Sequence, residues 1–365
     1  MKVIIAGGGT GGHIFPALAI GHAIMRHYPK AKVLFVGAKH KMEMEKVPQE
    51  GFEIIGLDIA GFNRGNLLSN WNLPFKLFKS HLEAKKIIKN FEPNIVIGVG
   101  GYASYPMLNA AQKLEVPTLI QEQNSHAGKS NMLLGKKARK ICVAYEGMDK
   151  FFPAEKVVLT GNPVRKLIVE NHKTQAEGKQ AFGLGVNKKT ILVVGGSLGA
   201  LSINKVIAKD GQKLSKKYQI LWQTGKHFYG EAMDKVKDEN IIIKEFIRNM
   251  DDAYAAADII VSRAGAMAIS ELCIVGKPVV FVPYPFAAED HQTVNARSLV
   301  EKYAAEMVAN DEVDRLLIDE VKALVEDEPF CNAMAENIKK LAITDADERI
   351  MKEIENIVNP AKTKS

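Results

Sequence analysis

Two glycine-rich segments are the part of this chain best suited to binding a phosphorylated ligand. Residues 7–12 (GGGTGG) follow the apolar run 3–6, and residues 195–199 (GGSLG) follow the apolar run 191–194. Glycines let the backbone approach a ligand closely, and the start of the helix that follows offers unpaired N–H groups to an anion. A plain tight turn is the alternative explanation. One such turn in each half of the chain predicts two Rossmann-like domains.

The first glycine segment also has the GxGxxG spacing of dinucleotide-binding folds, through Gly7, Gly9 and Gly12. A dinucleotide enzyme needs in addition an acidic residue at the end of the second strand, where it binds a ribose hydroxyl. The second predicted strand here ends in FVGAK (residues 35–39), which has no acid at that point. The pattern therefore favours a glycine turn that ends in His13 over a nicotinamide site.

Three further polar segments follow predicted strands, namely GVGGYASYP (98–106), QEQNSHAG (121–128) and SRAGAMAISE (262–271). Ligands of open α/β sheets bind beyond the carboxyl ends of the strands, so we expect these segments near a site, with surface connections as the alternative. Glu271 is a candidate to accept hydrogen bonds from both hydroxyls of a ribose, or else an ordinary solvated helix residue.

The composition is that of an ordinary globular protein and narrows the function classes. The net charge of +7 fits an anionic ligand or an anionic membrane surface, although a basic soluble protein would also carry it. Three widely spaced cysteines predict reduced, buried thiols and no zinc site. The chain has no P-loop, GxSxG, HExxH or DxD motif, and we expect no metal, no cofactor, no nucleic-acid partner, no secretory signal and no membrane-spanning segment.

Short β-branched runs alternate with amphipathic patterns in both halves, which predicts doubly wound parallel sheets. We predict strands at residues 2–6, 32–36, 53–57, 95–99, 118–121 and 140–144, and then at 190–194, 219–223, 241–244, 259–262 and 278–282. Helices are expected at residues 16–27, 73–90 and 346–358, the last packing back on the first domain. Asn162-Pro163 predicts a boundary, because a residue before proline disfavours helix.

A second candidate surface lies in residues 65–86. Trp71, Phe75 and Phe78 alternate there with lysines, a pattern typical of a surface that contacts anionic lipid. A core helix with a solvated lysine face is the alternative.

The segments named above, taken together, resemble the MurG family of glycosyltransferases (glycosyltransferase family 28). The matching runs occur in the family's order along nearly the whole chain: GGGTGGHIFPALAI, GVGGYASYP, QEQNSHAG, GNPVR, VVGGSLGA, FI..M..AYAAADIIVSRAGAMAISE and DHQTVNA. The resemblance implies an α/β GT-B fold, with two Rossmann-like doubly wound parallel-sheet domains, an interdomain cleft and a C-terminal helix that returns to the first domain. It implies domains at 1–163, with the C-terminal helix 342–365, and at 164–341.

The resemblance also implies an activity. The family transfers GlcNAc, with inversion, from UDP-GlcNAc to the C4 hydroxyl of MurNAc on lipid I (undecaprenyl-diphospho-MurNAc-pentapeptide), giving lipid II for peptidoglycan. The expected location is peripheral, on the cytoplasmic side of the inner membrane, with cell-wall synthesis and division proteins as candidate partners. Another GT-B UDP-sugar enzyme, a UDP-GlcNAc 2-epimerase or a non-catalytic nucleotide-sugar sensor are the alternatives.

The family's donor-binding residues fall on residues of both halves of this chain. They are Thr10, Gly11, Gly12, Asn124, Arg165, Ser197, Ile247, Ala266, Met267, Ala268, Ile269, Ser270, Glu271 and Gln292. On the acceptor side the resemblance places the loop that contains Gly100, Gly101, Tyr102 and Ser104.

Two positions depart from the family pattern, and the general base is left open. Ala268 stands where many members have Thr or Ser, which removes one hydroxyl donor to the diphosphate, and His291 stands where some members have another polar residue. Inversion by direct displacement needs a base for the acceptor hydroxyl. His13 and Glu122 are the two candidates for that base.

Overall fold

The computed structural model describes residues 1–59, 73–287 and 290–359. The chain forms two compact units. Unit 1 contains Met1–Val164 together with the C-terminal residues from Asp345 onward, and unit 2 contains Arg165–Thr344.

Unit 1 is built on a seven-stranded parallel sheet. Its strands are β1 (Lys2–Ala6), β2 (Lys32–Ala38), β3 (Glu53–Leu57), β4 (Ile95–Gly98), β5 (Thr118–Glu122), β6 (Lys140–Val143) and β7 (Val157–Leu159), in the spatial order β3-β2-β1-β4-β5-β6-β7. The helices α1 (Gly11–His27), α2 (Glu43–Gln49), α3 (Leu73–Phe91), α4 (Ser104–Lys113) and α5 (Lys129–Gly135) connect them. Two apolar clusters of this unit draw on alternate residues of the same strands, such as Ile4 and Ile5 of β1, so both faces of the sheet are covered.

Unit 2 repeats this plan with six strands. They are β8 (Thr190–Val194), β9 (Gln219–Gln223), β10 (Ile241–Lys244), β11 (Ile259–Ser262), β12 (Val279–Phe281) and β13 (Glu306–Met307), in the order β10-β9-β8-β11-β12-β13. Its helices are α6 (Lys166–Val169), α7 (Gln175–Ala181), α8 (Leu201–Asp210), α9 (Gln212–Ser215), α10 (Lys226–Lys235), α11 (Met250–Ala256), α12 (Ala266–Val275), α13 (His291–Val300), α14 (Val313–Glu326) and α15 (Glu328–Lys340).

The C-terminal helix α16 (Ala346–Val358) belongs to unit 1, as expected. It packs on α1, and its residues Ile350, Met351 and Ile354 are buried in the apolar cluster that also contains residues of β1. Arg26 of α1 forms an ion pair with Asp347 at the start of α16. The helix therefore completes the cover over one face of the first sheet.

Every predicted strand is present, and the ends differ by at most two residues. The prediction omitted β7 and β13, which are short and lie at the sheet edges, where side chains are only partly buried and the apolar pattern is weak. The predicted start of the first helix was wrong. That helix begins at Gly11, because Pro16 is tolerated early in a helix, where it removes only one N–H bond.

In the described part of the chain no helix is both long and apolar enough to span a bilayer. Cys142 and Cys273 are buried, as predicted, whereas Cys331 is only partly buried. Burial raises the pKa of the Cys273 thiol to about 12, so this thiol stays protonated near neutral pH.

Candidate functional site

The strand order of each sheet reverses at one point, and the two glycine turns follow strands at these points. In unit 1 the reversal falls between β1 and β4, and in unit 2 it falls between β8 and β11. Loops that leave neighbouring strands in opposite directions open a crevice at the carboxyl ends of the strands. Each unit therefore presents its glycine turn at the place where an α/β sheet binds ligands.

In unit 1 the loops after β1 and β4 touch through their backbones. A Cβ atom on Gly7 would lie 2.8 Å from the carbonyl oxygen of Gly100, and one on Gly101 would lie 2.1 Å from the carbonyl oxygen of Gly8. Gly100 and Gly101 also have positive φ angles of 88° and 84°, which side chains disfavour. Only glycine fits at these contacts, so the glycine segment 7–12 and the start of the polar segment 98–106 form one rigid surface. We call it the glycine surface of unit 1.

His13 lies in the first turn of α1 and faces this surface. Its Nδ1 is 3.2 Å from the carbonyl oxygen of Gly8 and 3.2 Å from Thr10 Oγ1. A carbonyl oxygen can only accept, so Nδ1 is assigned as the donor to Gly8, and a neutral imidazole in that tautomer carries its lone pair on Nε2. A Cβ on Gly100 would lie 2.8 Å from Nε2, which shows how closely the ring covers the loop after β4.

Glu43, the first residue of α2, is a buried acidic residue beside this surface that the sequence did not single out. Its buried carboxylate accepts hydrogen bonds from the N–H of Ala38 through Oε1 and from the N–H of Gly9 through Oε2, both at 2.9 Å. The end of β2 has no acidic residue of its own, but the carboxylate of Glu43, from α2, lies against it. Because it already occupies the Gly9 N–H, it also opposes a phosphate there, which further excludes a dinucleotide site.

Glu122 ends β5 and holds the QEQNSHAG loop in shape. Its Oε1 accepts the N–H of Asn124 at 3.2 Å, and its Oε2 accepts the N–H of Gly128 at 3.1 Å and Nδ2 of Asn131 at 2.9 Å. The carboxylate is 98% buried, since its exposed fraction is 2%. Two of these donors come from the loop itself and the third from α5, so the arrangement fixes the position of Asn124.

A buried amide network connects this loop to the end of unit 1. Gln121 donates to Asn162 Oδ1 at 2.9 Å, Asn162 donates to the carbonyl oxygen of Gln123 at 3.1 Å, and Gln123 donates to the carbonyl oxygen of Val99 at 2.8 Å. The network joins the loops after β4 and β5. Because buried amides are stable only when they are paired, these hydrogen bonds hold the two loops together.

The structure separates the residues expected on the acceptor side. Tyr102 is half exposed and its ring lies 3.8 Å from a Cβ placed on Gly9, so it borders the glycine surface. Ser104 is completely buried, and a Cβ on Gly98 would lie 2.7 Å from its Oγ. A buried Ser104 hydroxyl cannot reach an acceptor in this conformation.

In unit 2 a cavity of about 750 Å³ lies between the second glycine turn and the start of α12. Its lining includes Gly196, Arg263, Gly265, Ala268 and Gln292. Gly265 has no side chain to cap α12, and the first turn of that helix contains no acidic residue. The backbone N–H groups of this turn therefore offer positive charge to an anion in the cavity.

The predicted run 266–271 divides between the interior and the cavity. Met267 and Ile269 are buried in the interior, Ala268 lines the cavity, and the Ser270 hydroxyl donates to the carbonyl oxygen of Ala266 at 3.0 Å. Ser197, in the second glycine turn, is exposed. The helix therefore contributes backbone and small side chains to the cavity rather than a row of polar side chains.

Glu271 and Arg165, both predicted to bind the donor substrate, form an ion pair with each other. Arg165 donates to Glu271 Oε1 from Nε at 3.1 Å and from Nη2 at 2.9 Å, while the buried Tyr254 hydroxyl donates to Oε2 at 3.0 Å. Burial, followed by the charge of Glu271, raises the pKa of Tyr254 well above its usual value, so the phenol stays a donor. The carboxylate is thus held from two sides and only partly exposed.

Ile247, one of the residues expected to bind the donor substrate, is buried and lines a second cavity of unit 2, of about 320 Å³. Phe246, Arg248 and Asn249 also line this cavity. The backbone N–H of Ile247 donates to Gln223 Oε1 at 2.7 Å, so the residue is fixed to the end of β9.

Arg263 follows β11, and the sequence analysis gave it no role. Its Nη1 donates to the carbonyl oxygens of Val282 and Pro283 and to Asn310 Oδ1, and its Nη2 donates to Ser202 Oγ at 3.0 Å. Burial lowers its pKa to about 10, so it remains charged near neutral pH. One guanidinium thereby connects two loops and the start of α8 around the larger cavity, a role that no sequence spacing reveals.

The candidate lipid-contacting surface lies on α3. Phe75, Phe78 and Leu82 are exposed by 76%, 63% and 50%, and they lie on one side of the helix at spacings of three and four residues. Trp71 lies outside the described residues. A core role is wrong for Phe75 and Phe78, because most of each side chain is exposed to solvent.

Comparison with known proteins identifies the family. Residues 3–143 match the Glycosyltransferase family 28 N-terminal domain and residues 190–350 match the Glycosyltransferase family 28 C-terminal domain. A relative in Parabacteroides distasonis, named UDP-N-acetylglucosamine--N-acetylmuramyl-(pentapeptide) pyrophosphoryl-undecaprenol N-acetylglucosamine transferase, is 49% identical over 362 residues, which is 98% of either chain.

Solved structures agree on the fold. The chain is similar to the crystal structure of Acinetobacter baumannii MurG, with a TM-score of 0.79, 29% identity, and coverage of 97% of this chain and 99% of that one. The UDP-GlcNAc 2-epimerase from Neisseria meningitidis has a TM-score of 0.67 at 16% identity, with coverage of 97% and 99%, and shares the fold alone. The expected GT-B class, with two Rossmann-like units and a returning C-terminal helix, is confirmed. Matches along nearly the whole chain place this protein in glycosyltransferase family 28, within the MurG family of N-acetylglucosaminyltransferases.

Proposed function

We propose that this protein transfers GlcNAc from UDP-GlcNAc to the C4 hydroxyl of MurNAc on lipid I, with inversion, and so makes lipid II. The observation that carries the proposal is the 49% identity, over 98% of the chain, to a relative named for this transfer. A glycine surface with a histidine in unit 1 and an anion-binding cavity in unit 2 suit the two substrates.

The reaction is a direct displacement at the anomeric carbon of GlcNAc. The acceptor oxygen forms a bond to C1 while its proton passes to a base, and the bond from C1 to the diphosphate oxygen breaks with its electron pair leaving on UDP. The protein must therefore supply a base and stabilise the charge that develops on the diphosphate. We assign the second task to the N–H groups at the start of α12.

We assign the base to His13 rather than Glu122. Donation from Nδ1 to Gly8 places the lone pair of the neutral imidazole on Nε2, and we assign Nε2 to take the acceptor proton. The oxygens of Glu122 accept donors from its own loop, and taking up a proton would cost these bonds. Glu122 then acts as a positioning residue for Asn124.

On the donor side we assign the ribose to Glu271 and the diphosphate to the larger cavity of unit 2. Each carboxylate oxygen offers two lone pairs, and Tyr254 is the partner of Oε2, so this oxygen retains capacity for a ribose hydroxyl. Arg165 orients the carboxylate through two hydrogen bonds. Its contact with the diphosphate, together with those of Thr10, Gly11, Gly12 and Ser197, remains a proposal from the family.

The first test is turnover by the purified full-length protein. Radiolabelled UDP-GlcNAc and a short-chain lipid I analogue, incubated without added metal, should give labelled lipid product and UDP. Binding of UDP-GlcNAc by folded protein without product would contradict the transfer to lipid I. Conversion of UDP-GlcNAc to its 2-epimer in the same mixture would favour the epimerase alternative.

His13→Ala should lower kcat by about 10²- to 10⁴-fold, the usual contribution of a general base, with UDP affinity nearly unchanged. Steady-state kinetics and UDP titration by calorimetry measure the two effects. A rate near that of the wild type would exclude His13 as the base.

Glu271→Gln should weaken UDP binding about 10- to 100-fold, because it removes hydrogen bonds to a charged acceptor. The decisive comparison uses UDP and 2′-deoxy-UDP. The wild type should prefer UDP, and the variant should lose most of that preference. A preference that survives in a weakly binding variant would show that Glu271 shapes unit 2 without contacting the ribose.

We further propose that α3 binds the cytoplasmic face of the inner membrane, where lipid I is anchored, as part of the cell-wall synthesis that supports cell shape and division. Phe75, Phe78 and Leu82 present an apolar stripe, and the exposed Lys79 and Lys86 lie near it on the same helix. Aromatic side chains enter the interface of a bilayer while lysines contact anionic headgroups.

Phe75→Ser combined with Phe78→Ser should lower binding to anionic liposomes at least about tenfold, because each buried phenyl ring contributes roughly 1.5–3 kcal/mol. Liposome cosedimentation measures this, and binding should also weaken with added salt. Tyr303→Ser is the matched control, since Tyr303 is 73% exposed but lies in unit 2. Equal binding by the double variant and the control would rule out α3 as the contact.

A further inference from the structure

We propose that Glu43 is a positioning residue that orients His13 and raises its basicity through the Gly8–Gly9 peptide group. The inference rests on the proposed function, because it deepens the role given there to His13. Glu43 itself contacts neither substrate and takes up no proton.

One peptide group lies between the carboxylate and the imidazole. The N–H of Gly9 donates to Glu43 Oε2 at 2.9 Å, and the carbonyl oxygen of Gly8, in the same peptide plane, accepts from His13 Nδ1 at 3.2 Å. Because the peptide unit is rigid and planar, fixing its N–H also fixes the direction of its carbonyl. The second carboxylate oxygen is bound to the N–H of Ala38, which keeps Glu43 in place.

The chain reserves space for this carboxylate. A Cβ on Gly8 would lie 2.3 Å from Glu43 Oε1, and a Cβ on Gly37 would lie 2.5 Å from Glu43 Cγ. Gly8 also has a φ of 138°, a conformation that side chains rarely adopt. Glycines from two different loops therefore make room for one buried side chain, which indicates a specific arrangement rather than an incidental contact.

The charge of Glu43 acts on His13 in two ways. A carboxylate bound to the N–H polarises the peptide and makes the Gly8 oxygen a stronger acceptor for Nδ1–H. Its negative charge also stabilises the imidazolium that forms when Nε2 takes the acceptor proton. In many enzymes a carboxylate accepts a hydrogen bond directly from the catalytic histidine. Glu43 acts on His13 in the same sense, but through the peptide group that lies between them.

Titratable groups from three elements of the described chain face this peptide. From α1 there is His13, from α2 there is Glu43, and from the loop after β4 there is Tyr102, whose ring lies 3.8 Å from a Cβ on Gly9. Lys39, the residue after β2, lies instead against Gly56 on β3. Of these groups, Glu43 is the carboxylate that is hydrogen-bonded to the Gly8–Gly9 peptide group.

The test compares the pH dependence of kcat for the wild type, Glu43→Gln and Glu45→Gln, all as full-length protein. His13 acts as a base only when unprotonated, so the rate falls on the acidic side of the profile. Loss of the negative charge disfavours the imidazolium, and Glu43→Gln should move this acidic limb to lower pH by about 0.5 to 1 unit. The plateau should fall about tenfold, the lower end of the loss seen when the hydrogen-bond partner behind a metal-binding histidine is removed.

Glu45→Gln removes a charge from the same helix at an exposed position and should leave the profile in place. UDP affinity should be unchanged in both variants. A lower rate with an unshifted acidic limb would reduce Glu43 to a structural role and overturn the inference. No turnover by the wild type would instead contradict the proposed function.

A second readout does not depend on catalysis. The imidazole signal of His13, assigned by its absence from His13→Ala, can be titrated by NMR in the same variants. The signal should titrate at lower pH in Glu43→Gln than in the wild type. In Glu45→Gln it should titrate at the same pH as in the wild type. If Glu43→Gln does not fold, Glu43→Asp keeps the charge but shortens the side chain, and its His13 titration should lie close to that of the wild type. Displacement of that titration to lower pH despite the retained charge would equally overturn the inference.

Discussion

The close approach of two loop backbones where the strand order reverses is the constraint on which unit 1 depends. The carbonyl oxygen of Gly8 lies where any side chain at position 101 would have to be. The turn before α1 and the loop after β4 can therefore be neither displaced nor substituted independently. That contact determines where α1 begins, and so it places His13 in the first helical turn, over Gly100.

A close approach of two loop backbones also fixes the glycine turn of unit 2, but the charge around that turn is different. A Cβ on Gly199 would lie 1.9 Å from the carbonyl oxygen of Thr224, so the second glycine turn is fixed against the end of β9. Among the described residues, no side chain caps the start of α12, which lines the same cavity as this turn, whereas in unit 1 Glu43 occupies an N–H of the glycine turn. The two sites thus differ in charge, which leaves unit 2 as the better site for a diphosphate.

The sequence predicted the sheets and most loops of the site, because buried parallel strands are continuous β-branched runs and glycine turns follow them directly. Contacts across long sequence separations could not be predicted in this way. Glu43 reaches Gly9 across 34 residues, and Arg165 reaches Glu271 across 106. Glu43 lies in a segment with other glutamates, and only the fold shows which of them is buried. Ser104 resembled a loop hydroxyl, yet α4 begins at that residue and carries it into the interior.

The three carboxylates of the candidate site differ in what holds them, and this difference separates their roles. Glu43 and Glu122 accept backbone N–H groups, and releasing those bonds would leave buried donors unpaired and deform the loops that they support. Glu271 is held by the side chains of Arg165 and Tyr254 rather than by backbone groups, and the Arg165 side chain, which is partly exposed, can take another partner without moving the backbone. A ligand can therefore share or exchange the partners of Glu271 at low cost, whereas Glu43 and Glu122 are fixed. Of the three, Glu271 is the one suited to direct contact with a substrate, and the other two are suited to keeping the surrounding loops in position.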